Sequence, residues 1–205
     1  NIPKKLAISQ STAISFAVRC SDDDGGHINP NTECSGISMF AFLPTLVKEF
    51  KFPFYINANF VLDPPRQHIL SDNPWNCFLM GEIGELVVRW CAELSKLGEK
   101  AALNILPAEL FNESESDIAE LAEAFNSRYK KALEDIPFVK CSDSLLHTLN
   151  DVLIDKTGLS KIIGQGTFCR ALGSTKYLPS TSIDCSILDK ELFSTVEKVK
   201  IKQLA

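Results

Sequence analysis

Arg66 follows two consecutive prolines, in Asp63-Pro64-Pro65-Arg66, and the residues ahead of it alternate. Phe54, Ile56, Ala58, Phe60 and Leu62 take every second position, with Tyr55, Asn57 and Asn59 between them. That is the pattern of a half-buried strand. Proline donates no ladder bond and restricts the residue before it, so the strand must end at Asp63. Arg66 then leaves a stiffened turn beside the end of a sheet. A guanidinium held there suits phosphate, because it is always charged, planar and able to offer two parallel donors. The plainer roles for it are an ion pair with Asp63 or Asp72, or a tie between the turn and the helix that follows.

The other groups that could do chemistry are scattered. His27, His68 and His147 lie far apart, and none sits at metal-ligand spacing from another ligand. His68 is two positions from Arg66 and reads first as an exposed turn histidine. Asp22-Asp23-Asp24 lacks the spacing and the distal glutamate of a calcium loop, so it reads as a solvated acidic turn. Gly164-Gln165-Gly166 has no third glycine and no strand ahead of it, so a helix-ending turn is the better reading than a dinucleotide loop. No phosphate loop of the G-K-[ST] kind occurs. A cysteine–histidine hydrolase has no local nucleophile signature to support it. The seven cysteines include no C-x-x-C pair. They read as reduced, mostly buried thiols of a cytosolic protein rather than a disulfide framework. Asn112-Glu113-Ser114 matches a glycosylation acceptor, a triplet that arises easily by chance.

With 205 residues, 45% of them hydrophobic and 23% charged, the chain can bury one substantial core, or one core and a small helical lobe. A net charge of −5 gives no general attraction for nucleic acid or acidic membranes. No apolar run approaches a membrane span, and the N-terminus carries no signal-peptide pattern. Asn1 is not an initiator methionine, so a piece of a longer polypeptide is expected.

The elements that must position Arg66 follow in order. Ala13 to Cys20 alternates as a first strand, and Ile37 to Leu43 as a second ended by Pro44. Phe52 to Leu62 is a third, and a meander would pair these as neighbours. A long helix opens at Pro74, capped by Ser71, Asp72 or Asn73, and Gly98 stops it. Gly81 and Gly84 inside it would let the helix lie close to the sheet. Ala101 to Pro107 is a short strand or a link. Ser114-x-x-Asp117 opens a further helix, with an apolar stripe of Ile118, Leu121, Ala122, Phe125, Tyr129 and Leu133. Leu145 to Leu153 reads as another helix, Lys161 to Leu172 as a short helical or turn segment, and Asp189 as the start of a last helix. The fold class predicted is α+β: a small, mostly antiparallel sheet of three to four strands backed by a long helix, then a helical lobe. A composition shift near Phe111 divides residues 1–110 from 111–205.

One stretch carries a resemblance. Phe42-Leu43-Pro44, then Phe52-Pro53-Phe54-Tyr55-Ile56-Asn57-Ala58-Asn59-Phe60, then Arg66 and Trp75-Asn76, resembles a segment of the sacsin-like and NO VEIN-like proteins. In those families the segment follows an ATP-binding domain of the gyrase, heat-shock chaperone and histidine-kinase superfamily. The resemblance implies a middle or transducer-like module of a chaperone-like ATPase, not an enzyme on its own and cytoplasmic. Arg66-Gln67 would stand where the chaperone's middle segment has its catalytic-loop arginine, and Arg66 would reach the γ-phosphate of ATP. Asn57 and Asn59, on the polar face of the third strand, would be its neighbours. ATP and Mg would belong to the adjoining ATPase domain, since this chain has neither the glutamate–asparagine helix nor the Asp-x-Gly-x-Gly loop. Pro64-Pro65 and Gln67 depart from the families' pattern. The alternative is a protein-interaction or scaffold module of the same fold, with no ATP role and a protein client as partner.

Overall fold

The computed structural model describes residues 11–21, 26–30, 37–114 and 117–200. The acidic turn at Asp22 to Asp24 and Cys34 lie outside them. The architecture is α+β, with a four-stranded sheet against a long helix. Strands β1 (Ile14–Ala17), β2 (Met39–Ala41), β3 (Leu43–Pro44) and β4 (Tyr55–Ala58) stand in the order β1-β4-β2-β3. β1 pairs antiparallel with β4, and β2 antiparallel with β3. β2 and β4 run parallel, with Met39 opposite Ile56. The meander expectation is therefore corrected: β4 inserts between β1 and β2. Its buried residues Ile56 and Ala58 suit the central place, because an apolar strand gains most where both neighbours cover its ladder.

The second strand also differs from its expectation. Phe42 sits at φ 67°, and the chain folds straight back, pairing Phe40 with Pro44 and Ala41 with Leu43. Pro44 does not end a strand but lies in the edge strand β3, where a missing N–H costs no ladder bond.

Helix α1 (Pro74–Leu97) backs the sheet. Asn73 caps it by accepting the Trp75 N–H at 3.0 Å, Pro74 takes the first turn, and Gly98 at φ 85° closes it. Phe16 and Phe54 meet Trp90 of α1, each with ring centroids 5.4 Å apart. Helix α2 (Ala119–Asp135) packs on α1, its predicted stripe buried throughout. Ile118 takes the cap position with no side-chain cap bond, so Ser114 does not open the helix. Gly81 and Gly84 face α2 rather than the sheet: the neighbours of Gly81 are Ala124 and Arg128, and those of Gly84 are Phe125 and Tyr129.

One hydrophobic core runs from Met39 to Val196, through Phe52, Phe125 and Phe138. It continues across residue 111, because Phe111 packs edge-on against Phe50, Phe52 and Phe125. A smaller cluster joins Leu153, Phe168, Leu178 and Val199.

Later elements depart from the sequence reading in detail. Leu145 to Leu153 is not a helix: β6 (Leu146–His147) pairs with β5 (Val139–Lys140), a 3-10 turn spans Leu149–Asp151, and β7 (Leu153–Asp155) follows. Its leucines fit a helical spacing, but Leu149, Val152 and Leu153 are buried among tertiary neighbours that override it. Ala102–Ile105 forms a 3-10 turn. The tail from Asp189 is no helix either, since two 3-10 turns lead into β8 (Glu197–Val199), which runs parallel to β7. Between them lie α3 (Leu159–Ile163) and α4 (Gln165–Ala171); Gly164 at φ 82° ends α3 as expected, whereas Gln165 and Gly166, read as part of the same turn, open α4. Among the described residues no helix is long and apolar enough to cross a membrane, and no disulfide forms.

Candidate functional site: the rim at Phe42 and Arg66

β4 leaves the sheet at Ala58 and the chain runs to a compact turn. Pro64 and Pro65 fill its centre, and the Arg66 N–H donates back to the Asp63 carbonyl at 2.8 Å. Arg66 itself is left-handed, at φ 61°. Such a backbone costs a side-chain-bearing residue roughly 1–2 kcal/mol. Leu62 and Ile69 bridge the base of the loop, and the Asp63 N–H donates to the His68 carbonyl at 3.0 Å.

The Asp63 carboxylate is fully engaged without Arg66. It accepts the Gln67 N–H at 2.7 Å and the His68 N–H at 3.0 Å, and it pairs with the His68 ring at 3.1 Å. The His68 N–H does most to hold this carboxyl below its ordinary range; burial opposes it, and the Gln67 N–H and the His68 ring add to it. The plain ion-pair role is therefore not taken up. Among the described residues the Arg66 guanidinium has no hydrogen bond or ion pair, and it is exposed. His68 is exposed as expected, with Asp63 as its partner.

The turn is tied to the segment just after the β2–β3 hairpin, where the Leu46 N–H donates to the Gln67 carbonyl at 2.7 Å. At the tip of that hairpin Phe42 is 83% exposed and Leu43 68% exposed. Asn57 accepts the Phe42 N–H at 3.0 Å through its side-chain oxygen. Asn57 thus bonds the hairpin tip, and Gln67 the segment that follows the hairpin. Asn59 is placed elsewhere: its amide donates to the Thr12 hydroxyl at 3.0 Å, and its carbonyl accepts the Trp75 indole N–H at 2.9 Å.

Two non-glycine residues with left-handed backbones, both exposed, therefore stand here: Phe42 at the hairpin tip, and Arg66 on the turn bonded to Leu46 just after the hairpin. A strained position normally persists where surrounding structure over-determines it, and such positions concentrate at sites that bind. The rim offers the exposed Arg66 guanidinium, without a partner among the described residues, and the exposed Phe42 and Leu43 at the hairpin tip. A guanidinium left exposed in this way can receive an anion through two parallel donors. Sequence reasoning had the arginine, but it missed the exposure and strain of Phe42, for which an aromatic inside an apolar run gives no signal.

Two concavities lie apart from this rim. A groove of about 650 Å³ runs between residues 49–53, 104–112 and 186–190, and a hollow of about 550 Å³ is bordered by His27, Lys100 and Asp184. Arg66 lines neither. Among the described residues no group of three His, Cys, Asp or Glu side chains is placed to hold a metal ion. No family model matches the chain, and no curated protein or solved structure matches it either.

Proposed function

We propose that the chain is a non-catalytic module of a larger chaperone-like ATPase, in which Arg66 reaches the γ-phosphate of ATP held by an adjoining domain. What supports this is the state of Arg66: a cation on a braced, strained turn, exposed and without a partner among the described residues, near a carboxylate already satisfied by His68. An arginine kept free of its nearest acid is available to an external anion. Charge-assisted hydrogen bonds of that kind contribute roughly 1.5–3 kcal/mol each. Gln67 and Asn57 would flank the phosphate, and Asn59 would brace the strand end behind them. The ATP and its Mg would be bound by the adjoining domain, and phosphate engagement at Arg66 would couple hydrolysis to domain movement through α1. Unpaired thiols suit a cytoplasmic setting.

The test is ATP turnover by the protein carrying this chain together with its nucleotide-binding domain. Arg66→Ala should lower kcat at least ~10-fold with folding intact, and unchanged turnover would remove the ATP role. The second reading, an interaction module without that role and with a protein client, is favoured by the exposure of Phe42 and Leu43. It predicts that Phe42→Ser abolishes partner binding while Arg66→Ala leaves it unchanged.

A further inference from the structure

The first turn of α1 grips both arms of the Arg66 turn. Asn76 is fully buried, and its carboxamide oxygen accepts the Val61 N–H at 2.8 Å. Its amide group donates to the Val61 and Leu70 carbonyls, both at 2.8 Å. We infer that Asn76 is the positioning residue for Arg66, clamping the two chain segments between which the Arg66 turn hangs. Its consequence for catalysis rests on the phosphate reading above; the clamp itself does not.

The loop 62–69 is closed internally by the Leu62–Ile69 bridge and by the bonds to Asp63. Outside the loop, the Leu70 N–H donates to the Val61 carbonyl at 3.2 Å and the Leu46 N–H to the Gln67 carbonyl at 2.7 Å, and the arms themselves remain to be fixed to the body of the fold. Asn76 binds one residue outside the bridge on each side, so moving the arms away from α1 requires breaking the hydrogen bonds of a buried side chain. Its neighbours add to the hold. Trp75 donates to the Asn59 carbonyl at 2.9 Å, and the Cys77 thiol donates to the Ser71 carbonyl at 3.2 Å. Three successive helical residues thus hold 59 and 61 on one arm, 70 and 71 on the other. A carboxamide suits the central place because it offers an acceptor and two donors at once. Aspartate would keep the acceptor, lose both donors and face two carbonyl oxygens.

The molecule contains its own control. Asn126 of α2 is equally buried and makes the same clamp on Phe111, accepting its N–H at 3.0 Å and donating to its carbonyl at 2.8 Å. Its amide also donates to Glu113 at 2.8 Å. Loss of either asparagine should weaken the fold comparably, but only loss of Asn76 should free the Arg66 turn.

Backbone NMR of this chain separates the two. In the wild type the Val61 amide should exchange as slowly as amides in the middle of α1. In Asn76→Ala and Asn76→Asp it should exchange at least ~10-fold faster, with the Gln67 and His68 amides gaining fast motion, while Asn126→Ala leaves these amides within ~2-fold. A Val61 amide that already exchanges freely in the wild type overturns the inference even if neither Asn76 variant folds. So does an Asn126→Ala variant that mobilises the turn equally. In the protein carrying the nucleotide-binding domain, Asn76→Ala and Arg66→Ala should lower kcat alike, with KM within ~2-fold. A mobile turn with turnover unchanged in both variants keeps the clamp and removes the ATP reading. Turnover lost in Arg66→Ala but kept in Asn76→Ala, with the turn mobile, overturns the positioning role.

Discussion

Gly84 of α1 lies against the Phe125 carbonyl of α2: a Cβ at Gly84 would stand 2.7 Å from that oxygen and 3.1 Å from the Tyr129 nitrogen. Both obstacles are backbone, so neither can swing aside. The contact lets α1 carry the sheet on one side and α2 on the other, which joins the Arg66 rim to the rest of the chain.

Gly84→Ala should therefore destabilise. Alanine gains roughly 1 kcal/mol of helix propensity over glycine, but overpacking against fixed backbone costs typically ~1–3 kcal/mol and forces the helices apart. At Gly81 the Cβ would meet the Arg128 side chain at 3.3 Å, which can move. Gly81→Ala should stay within ~0.5 kcal/mol of wild type or exceed it. Urea unfolding of the pair checks this. A Gly84→Ala variant as stable as Gly81→Ala would contradict the close approach of the helices.

Arg66 should be dispensable for folding. Its side chain has no partner among the described residues, so Arg66→Ala should change stability by less than ~0.5 kcal/mol. Arg66→Gly should be the more stable of the two variants by about 1 kcal/mol, because glycine accepts φ 61° without strain. Denaturant midpoints measure both. A loss well above 1 kcal/mol in Arg66→Ala would mean that the guanidinium holds the turn together and is not free for an outside anion.

How far the sequence led depended on whether a local signal agreed with the packing. The long helix was legible because Asn73, Pro74 and Gly98 punctuate it and its apolar positions recur with the helical period. The turn at Arg66 was legible because two prolines leave the chain few alternatives. The sheet order was not, since nothing local in Ile37 to Leu43 says that β2 will run parallel to β4. Leu145 to Leu153 misled for a related reason: leucines at helical spacing are equally served by short strands once Val152 and Leu153 find buried neighbours. At the rim, proximity in sequence offers Asp63 as a partner for Arg66, yet the carboxylate is claimed by the His68 ring and by two N–H groups of its own turn. A choice among close acceptors is made by backbone geometry, which composition does not record.

Asp155 makes the acid limb of stability predictable. It ends β7 and accepts the Thr157 N–H at 2.7 Å, the Thr157 hydroxyl at 2.6 Å, the Gly158 N–H at 3.1 Å and the Ser160 N–H at 2.8 Å. Burial pushes its carboxyl up, but the bonds from Thr157 and Ser160 outweigh it and hold the pKa at about 2, against an ordinary 3.8. A depressed carboxyl contributes stability that is complete above its ordinary pKa and disappears as pH falls toward the folded value. The window is therefore pH 3.8 down to about 2. After allowance for solvent screening, the contribution is on the order of 1 kcal/mol. Asp155→Asn should lower stability at pH 7 by about that amount and flatten the acid limb in the same window. An unchanged acid limb would mean that the carboxylate does not hold this turn.

The thiols test the core from the alkaline side. Burial pushes Cys141 and Cys185 up to about 12, and Cys91, fully buried, well above its ordinary value. In the unfolded chain a thiol ionises near ~8.5. Between those values the unfolded state loses protons that the folded state keeps, so stability should fall as pH rises from ~8.5 toward 12. Reactivity follows the same division. Cys20 is exposed and should be labelled by a thiol reagent at pH 8 under native conditions. Cys91, Cys141 and Cys185 should be labelled only as the protein unfolds, in step with the circular-dichroism transition. Pulse labelling across a urea series, read by mass spectrometry of the peptides, resolves each thiol. Cys141 or Cys185 reacting as fast as Cys20 before the transition would show that the segments around them open locally. The core joining 139–141 to 183–187 would then be looser than the burial of Val139, Cys141 and Ile187 implies.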